Sequence, residues 1–148
     1  MVPITVILVT FMALSISATP SIFLDMQGYD GKNAFDPVLL SNFTIDLHQT
    51  ISLDIHGGQK LFFATVESKT AYIQNPRAYW MLPYDKYDHP EGMPNVQDSI
   101  MLCPNSGEKM TISMSTPRVV HRSGQAIYFC CYGCLSNFHA DPTSFFVG

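Results

Sequence analysis

Charged residues are few in this chain, and basic residues are the scarcest of them. Of its 148 residues, 8 are Lys or Arg and 12 are Asp or Glu, which gives a formal net charge of −4 at pH 7. Proteins that bind nucleic acid neutralise its phosphates with clustered Lys and Arg side chains. The sequence contains no such cluster, so we exclude nucleic acid as a partner.

The motifs of common catalytic centres are also missing. The sequence has no G-x-S-x-G nucleophile turn, no H-E-x-x-H metal motif and no phosphate-binding loop. A hydrophobic fraction of 47% and a charged fraction of 14% exclude disorder over most of the length. These features together predict a folded binding protein and not an enzyme.

Cysteine is absent from the first two thirds of the chain. The four cysteines, all in the last third, are Cys103, Cys130, Cys131 and Cys134. Thiolates are soft ligands that suit zinc and copper(I). A helix would place Cys130 and Cys134 on one face, toward Cys103. The pattern therefore predicts a soft-metal site made by the four cysteines, with copper or zinc as the bound ion.

Other soft side chains lie near these cysteines in the sequence. The second group of candidate ligands consists of His121, Met110, Met114 and His139. Thioether and imidazole groups suit copper(I) better than magnesium or calcium. Methionine is also typical of core positions, so we expect the cysteines to form the centre of the site.

Two alternatives to metal binding follow from the same cysteines. An even number of cysteines outside the cytosol suggests disulfides, here Cys103 joined to one of the later three. That arrangement predicts a disulfide-stabilised extracellular structural or interaction protein without metal. Because Cys130 and Cys131 are adjacent, two disulfides would crowd or strain this segment. The second alternative is a small thiol oxidoreductase using Cys131 and Cys134, although the surrounding pattern is not thioredoxin-like.

The last third resembles a known family of metal-binding modules. It carries C-P-N-S-G at residues 103–107, F-C-C-Y-G-C at 129–134 and F-H-A-D-P at 138–142. This combination resembles the YHS/TRASH heavy-metal-binding family over about residues 101–147. The resemblance implies sensing, trafficking or sequestration of metal.

The first half repeats this pattern without the sulfur. Residues 58–68 align with 124–134 at a constant offset of 66, so Ala64 and Ser68 stand where Cys130 and Cys134 stand. The D-P-V at residues 36–38 resembles the opening of many YHS modules. We interpret the repeat as an internal duplication. The resemblance implies a first module without metal, acting as a scaffold or binding a protein partner.

These patterns predict an α+β fold of two small tandem YHS-like modules. Each module is expected to contain a β-hairpin, a short helix and a final helical turn. In the first, strands at 51–55 and 61–63 flank Gly57 and Gly58, and a helix covers 66–74. In the second, the helix covers about 131–140. The predicted domain boundaries are 34–82 for module 1, 83–98 for a linker, and 99–148 for module 2.

The amino-terminal segment predicts export. The apolar run at residues 4–18 is too short to span a membrane comfortably, and it suits the core of a signal peptide. We expect a signal peptide at 1–18 with cleavage near Ser17 and Ala18, an uncleaved anchor being the alternative. The mature protein is then secreted or extracellular, or periplasmic if bacterial, without membrane contact. Asn42 opens an N-F-T glycosylation sequon.

Overall fold

The structure is a computed structural model that describes residues 29–81 and 96–147. The predicted signal peptide with Ser17 and Ala18, and residues 83–95 of the predicted linker, lie outside the described residues. Within the described ranges, no helix has the length and apolar character that crossing a membrane requires.

The described chain is a mixed α and β structure with short elements. Its first half contains β1 Asn33–Phe35, β2 Asn42–Thr44, β3 Ile51–Ile55, β4 Lys60–Phe63, α1 Val66–Gln74 and a 3-10 turn Pro76–Tyr79. Its second half contains β5 Ile100–Leu102, β6 Lys109–Thr111, β7 Arg118–Val120, β8 Ala126–Tyr128, α2 Tyr132–Ala140, a 3-10 turn Pro142–Phe145 and β9 Phe146–Val147.

The strands form small antiparallel sheets. Three of these are hairpins, β1 with β2, β5 with β6, and β7 with β8, and the fourth is a three-stranded sheet in the order β4-β3-β9. The β3–β4 hairpin turns at Gly57 and Gly58, whose φ values of 89° and 96° lie in the region that favours glycine. The predicted α+β class is confirmed. The hairpins β1–β2 and β5–β6 were not predicted, because three-residue strands have no clear hydrophobic period.

Both helices begin at a side-chain cap. Thr65 Oγ1 accepts a hydrogen bond of 3.1 Å from the backbone N–H of Ser68 and begins α1. Cys131 holds the corresponding position before α2. A single residue separates the end of each helix from a proline that opens the following 3-10 turn. The predicted helix at 66–74 is confirmed at both ends, and the second differs by one residue because Cys131 is its cap.

The two halves are joined by two buried glutamines. Gln59 Nε2 donates to the carbonyl oxygens of Leu102, at 3.0 Å, and Tyr128, at 2.9 Å, while its Oε1 accepts from Tyr128 N at 2.9 Å. Gln125 Nε2 donates to the carbonyls of Phe35, at 3.0 Å, and Phe62, at 2.8 Å. Its Oε1 accepts from the N–H of Phe62 at 2.8 Å. Each half therefore supplies a side chain that satisfies the strand ends of the other.

The residues that follow the 3-10 turn of each half also pair with the other half. In β9, Phe146 lies opposite Ile55 of β3, and Trp80 forms an isolated bridge with His121. The main hydrophobic core is correspondingly shared, since Phe63 and Phe129 belong to one buried cluster. The halves pack into a single body, with one smaller buried cluster in each.

A polar network lies inside the shared core. His121 is fully buried, its Nδ1 donates to the carbonyl of Gln125 at 2.8 Å, and its Nε2 lies 2.6 Å from Tyr72 Oη. Trp80 Nε1 donates to Tyr72 Oη at 3.3 Å. Burial lowers the pKa of His121 to about 4, although the hydrogen bond to Gln125 opposes this. The imidazole is thus neutral in the folded protein at pH 7.

Candidate metal centre

The loop after β5 positions the first sulfur. Cys103 follows β5 directly, and its side chain is fully buried. The backbone N–H of Cys103 donates to the carbonyl of Glu108 at 2.8 Å, and that of Gly107 donates to the carbonyl of Cys103 at 2.9 Å. Gly107 has a φ of 74°, which closes this tight loop at little cost for glycine.

Two further sulfurs come from the junction between β8 and α2. Cys134 lies in the first turn of α2 and is buried, and Cys130 is half-buried just before the helix. Their Sγ atoms are 3.6 Å apart. The Sγ atoms of Cys103, Cys130 and Cys134 all lie within 4.8 Å of one another. The structure thus brings together three of the four predicted cysteine ligands in a group that can hold a metal ion.

Cys131 has a different position from the other three. Its Sγ accepts the backbone N–H of Cys134 at 3.4 Å and so caps α2, and its side chain is exposed. It lies 3.5 Å from Cys134 Sγ but is not part of the three-sulfur group. All four cysteines are within the described residues and all are free thiols.

Two polar side chains of the 103–107 loop contact the sulfurs. Asn105 Nδ2 donates to Cys134 Sγ at 3.3 Å, and Ser106 Oγ lies 3.3 Å from Cys130 Sγ. Neither residue was predicted as part of the site, although both lie inside the C-P-N-S-G motif. Their contacts tie the loop to the start of α2.

The environment divides the cysteines by acidity. Burial alone would raise the pKa of Cys103, but hydrogen bonds from the Ser106 hydroxyl and from nearby backbone N–H groups lower it to about 7. The hydrogen bond with Ser106 acts to lower the pKa of Cys130, yet burial and the neighbouring sulfurs together raise it to about 12. The hydrogen bond from Asn105 acts to lower the pKa of Cys134, but burial and the sulfurs of Cys131 and Cys103 outweigh it and raise that pKa. Backbone N–H groups at the helix start lower that of Cys131.

These shifts mean that the metal-free group carries one thiolate most readily, at Cys103. Further ionisation of the sulfurs is opposed by the charge already present. A bound cation would remove this opposition, so metal binding and thiol deprotonation are coupled.

The four members of the second group of candidate ligands have different surroundings in the structure. The imidazole of His121 is committed to Tyr72 and Gln125, and His139 is exposed and stacks on Trp80 with ring centroids 5.0 Å apart. Met110 packs against the hydrophobic core, and Met114 is 90% exposed. Neither histidine joins the three-sulfur group. Asn42, the predicted glycosylation site, is exposed at the start of β2.

The corresponding place in the first half is closed by hydrogen bonds. Asp36 follows β1, and its Oδ2 accepts from the backbone N–H of Ala64 at 2.8 Å and from Ser68 Oγ at 2.6 Å. Its Oδ1 accepts from the N–H groups of Val38, at 2.8 Å, and Leu39, at 2.9 Å. A buried carboxylate thus stands where the second half has Cys103. This correspondence was not predicted, because the repeat in the sequence was aligned at a constant offset of 66 residues, whereas Asp36 and Cys103 are 67 residues apart.

Comparison of the chain with protein-family models, with curated proteins and with solved structures finds no match. The function is therefore inferred from the three sulfur atoms and the residues around them.

Proposed function

We propose that this protein binds a soft metal ion, copper(I) or zinc, through Cys103, Cys130 and Cys134. The observation that carries the proposal is the approach of their three Sγ atoms to within 4.8 Å of one another without a disulfide. An ion about 2.3 Å from each sulfur separates them by about 3.8 Å in tetrahedral geometry and about 4.0 Å in a trigonal plane. The observed 3.6 Å between Cys130 and Cys134 is close to these values.

The donor set determines the class of ion. The group contains sulfur alone, and its polar neighbours Asn105 and Ser106 are uncharged. Magnesium and calcium require oxygen ligands, whereas copper(I) and zinc bind thiolates strongly. We therefore propose a soft ion and exclude a hard one at this place.

Three protein thiolates leave room for an additional ligand. Structural zinc sites are closed by four protein ligands, while sites that exchange a ligand keep a position open. Because Cys131 Sγ already accepts the N–H of Cys134, we assign the open position to water or to an incoming ligand. This arrangement favours sequestration or delivery of the ion over a purely structural role.

We further propose that the chain consists of two tandem YHS-like modules, the second of which is TRASH-like. The repeated element order, the paired helix caps and the reciprocal contacts of Gln59 and Gln125 support this reading. The first module would serve as a scaffold or bind a protein partner. The apolar run at residues 4–18 supports export to an extracellular or periplasmic space.

A metal titration of the full chain tests the proposal. The reduced protein, handled without oxygen, is titrated with zinc against a chromophoric chelator and analysed for bound elements after purification. We expect one zinc ion per chain for the parent. Cys134→Ser should lower the affinity at least about 100-fold, because each ligand carries several of the roughly 10–16 kcal/mol of a thiolate zinc site.

Two variants are matched controls for this titration. Ser136→Ala changes an exposed residue of the same helix, and Cys131→Ser replaces the sulfur outside the group by a good helix cap. Both should bind zinc as the parent does. Equal zinc affinity in Cys134→Ser and the parent would refute the three-sulfur site.

The disulfide alternative is tested by counting thiols. Protein purified from an oxidising compartment is denatured and reacted with a thiol reagent, with and without prior reduction. Four reactive thiols before reduction support the metal proposal. A disulfide that peptide mapping places between Cys103 and a later cysteine would favour the disulfide-stabilised protein.

A further inference from the structure

The start of α2 places an exposed thiol against a buried one. Cys131 Sγ lies 3.5 Å from Cys134 Sγ, in van der Waals contact. Cys131 is exposed, Cys130 is half-buried, and Cys103 and Cys134 are buried. A reagent arriving from solution therefore reaches the thiol of Cys131 before those of the other three cysteines.

The capping role of Cys131 does not explain why it is a cysteine. The N-cap position favours Ser, Thr, Asp and Asn, whose oxygen accepts the helix N–H groups. The first half uses Thr65 at this position, and Thr65 Oγ1 accepts from Ser68 N at 3.1 Å, whereas Cys131 Sγ accepts from Cys134 N at 3.4 Å. Sulfur is the weaker acceptor of the two, so its presence points to thiol chemistry.

We propose that Cys131 and Cys134 form a redox switch that controls metal release from the three-sulfur group. This inference rests on the function proposed above, because a switch needs a bound ion to release. The oxidant we assign is a low-molecular-weight disulfide of the glutathione class.

The reaction is a thiol–disulfide exchange in two steps. The Cys131 sulfur attacks the small disulfide, forms a mixed disulfide with one half of it and releases the other half as a thiol. Cys134 then attacks Cys131 Sγ, forms the Cys131–Cys134 disulfide and releases the second thiol. The protein loses two electrons, the small disulfide gains them, and two protons from the protein thiols or the solvent complete the two released thiols.

The consequence for the ion follows from the shared residue. Cys134 belongs both to the C-x-x-C pair and to the three-sulfur group. Once Cys134 is in a disulfide, Cys103 and Cys130 alone remain, and two thiolates hold a soft ion far more weakly than three. Reduction of the disulfide restores the third ligand.

Cys130 is a poorer partner for this reaction although it is also close. Its Sγ lies 3.6 Å from Cys134 Sγ, but it contacts Ser106 Oγ and is itself a proposed ligand. In the protein loaded with metal, Cys131 is therefore the cysteine that does not bind the ion, and its side chain is exposed.

The experiment uses the full chain loaded with zinc. Parent, Cys131→Ser and Ser136→Ala are incubated with oxidised glutathione, and released zinc is followed with a chromophoric chelator. We expect parent and Ser136→Ala to release zinc at the same rate and Cys131→Ser to release it at least about tenfold more slowly. Peptide mapping should show a Cys131–Cys134 disulfide, and dithiothreitol should restore zinc binding.

Each failure has a distinct meaning. Zinc release from Cys131→Ser at the parent rate, or a map that shows only Cys130–Cys134, would overturn the switch and leave the metal site intact. Absence of zinc binding by the reduced parent would overturn the proposed function and the switch with it. Cys131→Ser retains a capping oxygen, so its folding, checked by circular dichroism, should match that of the parent.

Discussion

The two halves of the molecule differ at one corresponding place, which is occupied by a carboxylate in the first half and by thiols in the second. In the first half Asp36 accepts hydrogen bonds from Ala64 N and Ser68 Oγ. In the second half the corresponding group is Cys103 with Cys130 and Cys134. The carboxylate of the first half is surrounded by hydrogen-bond donors, whereas the sulfurs of the second half contact Asn105 and Ser106 and also lie close to one another.

The loops that carry these groups have the same backbone hydrogen bonds. Leu40 N donates to the carbonyl of Asp36 at 2.8 Å, just as Gly107 N donates to that of Cys103. Leu40 has a φ of 58° and Gly107 one of 74°. A backbone frame of this kind can therefore hold either a hydrogen-bonded carboxylate or a thiolate cluster, and the side chains decide which.

The largest expected effect comes from giving the first half the sulfur chemistry of the second. The triple variant Asp36→Cys, Ala64→Cys, Ser68→Cys should bind a second zinc ion per chain. The gain is about 10 kcal/mol of binding free energy, as for thiolate zinc sites in general. Zinc titration measures the stoichiometry, and the variant Ala64→Cys, Ser68→Cys, which keeps Asp36, is the control. A stoichiometry that stays at one would show that the two frames are not equivalent.

The second effect is the loss of the carboxylate that closes the first half. Asp36→Ala removes the acceptor of the Ala64 N–H and of the Val38 and Leu39 N–H groups, and it leaves the Ser68 hydroxyl only the carbonyl of Thr65. We expect the free energy of unfolding to fall by about 3–5 kcal/mol, measured by urea denaturation. Asp54→Ala, on an exposed residue of β3, is the control. A loss below about 1 kcal/mol would contradict this role.

The third effect concerns a buried position at which the two halves carry different residues. Ile55 of the first half corresponds to His121 of the second. The pKa of His121 is lowered from 6.5 to about 4 in the folded protein. The unfolded chain therefore binds a proton below pH 6.5 that the folded chain rejects, and stability falls as the pH decreases from about 6.5 to 4.

The size of this loss should be about 3 kcal/mol. Urea denaturation at several pH values measures it, and His121→Gln should remove this part of the pH dependence. Equal slopes for parent and variant between pH 4 and 6.5 would show that His121 is not buried in its neutral form.

The smallest effect concerns the helix caps. Thr65→Ala removes the acceptor of Ser68 N and should lower the free energy of unfolding by about 1 kcal/mol. Cys131→Ser should change it by less than about 0.5 kcal/mol, because serine caps a helix well. Thermal denaturation of the two variants compares them directly. A larger loss in Cys131→Ser would give the sulfur a structural role beyond the cap.

Sequence patterns predicted the helices well because their signals are local. Thr65 before the helix and the Asn75-Pro76 pair after it define α1, and both act within a few residues. The hairpin at Gly57 and Gly58 has the same local character. Clustering of cysteines in the sequence likewise predicted a sulfur site, although of four cysteines, of which the structure brings together three.

Long-range contacts could not be predicted in the same way. The partners of Gln59 and Gln125 lie in the other half of the chain, and no periodicity indicates a contact at that separation. Cys130 and Cys131 are adjacent, yet one belongs to the sulfur group and the other caps α2. Their different roles depend on the exact junction between β8 and α2, where a shift of one residue exchanges these two positions. Met114 shows that closeness in the sequence can also mislead. It was a candidate ligand because it lies near Cys103 in the sequence, but its side chain is exposed in the structure.

The reciprocal bonds of Gln59 and Gln125 have the form of a two-fold interface, in which each partner gives what it receives. Such interfaces normally join two copies of one chain, and here a single chain carries both sides. In a homodimer every substitution appears twice, so Asp36 and Cys103 could not occupy matched places in the two copies. A single chain that carries both sides has no such constraint. One half can therefore hold a group of thiols while the other holds a hydrogen-bonded carboxylate at the matched place.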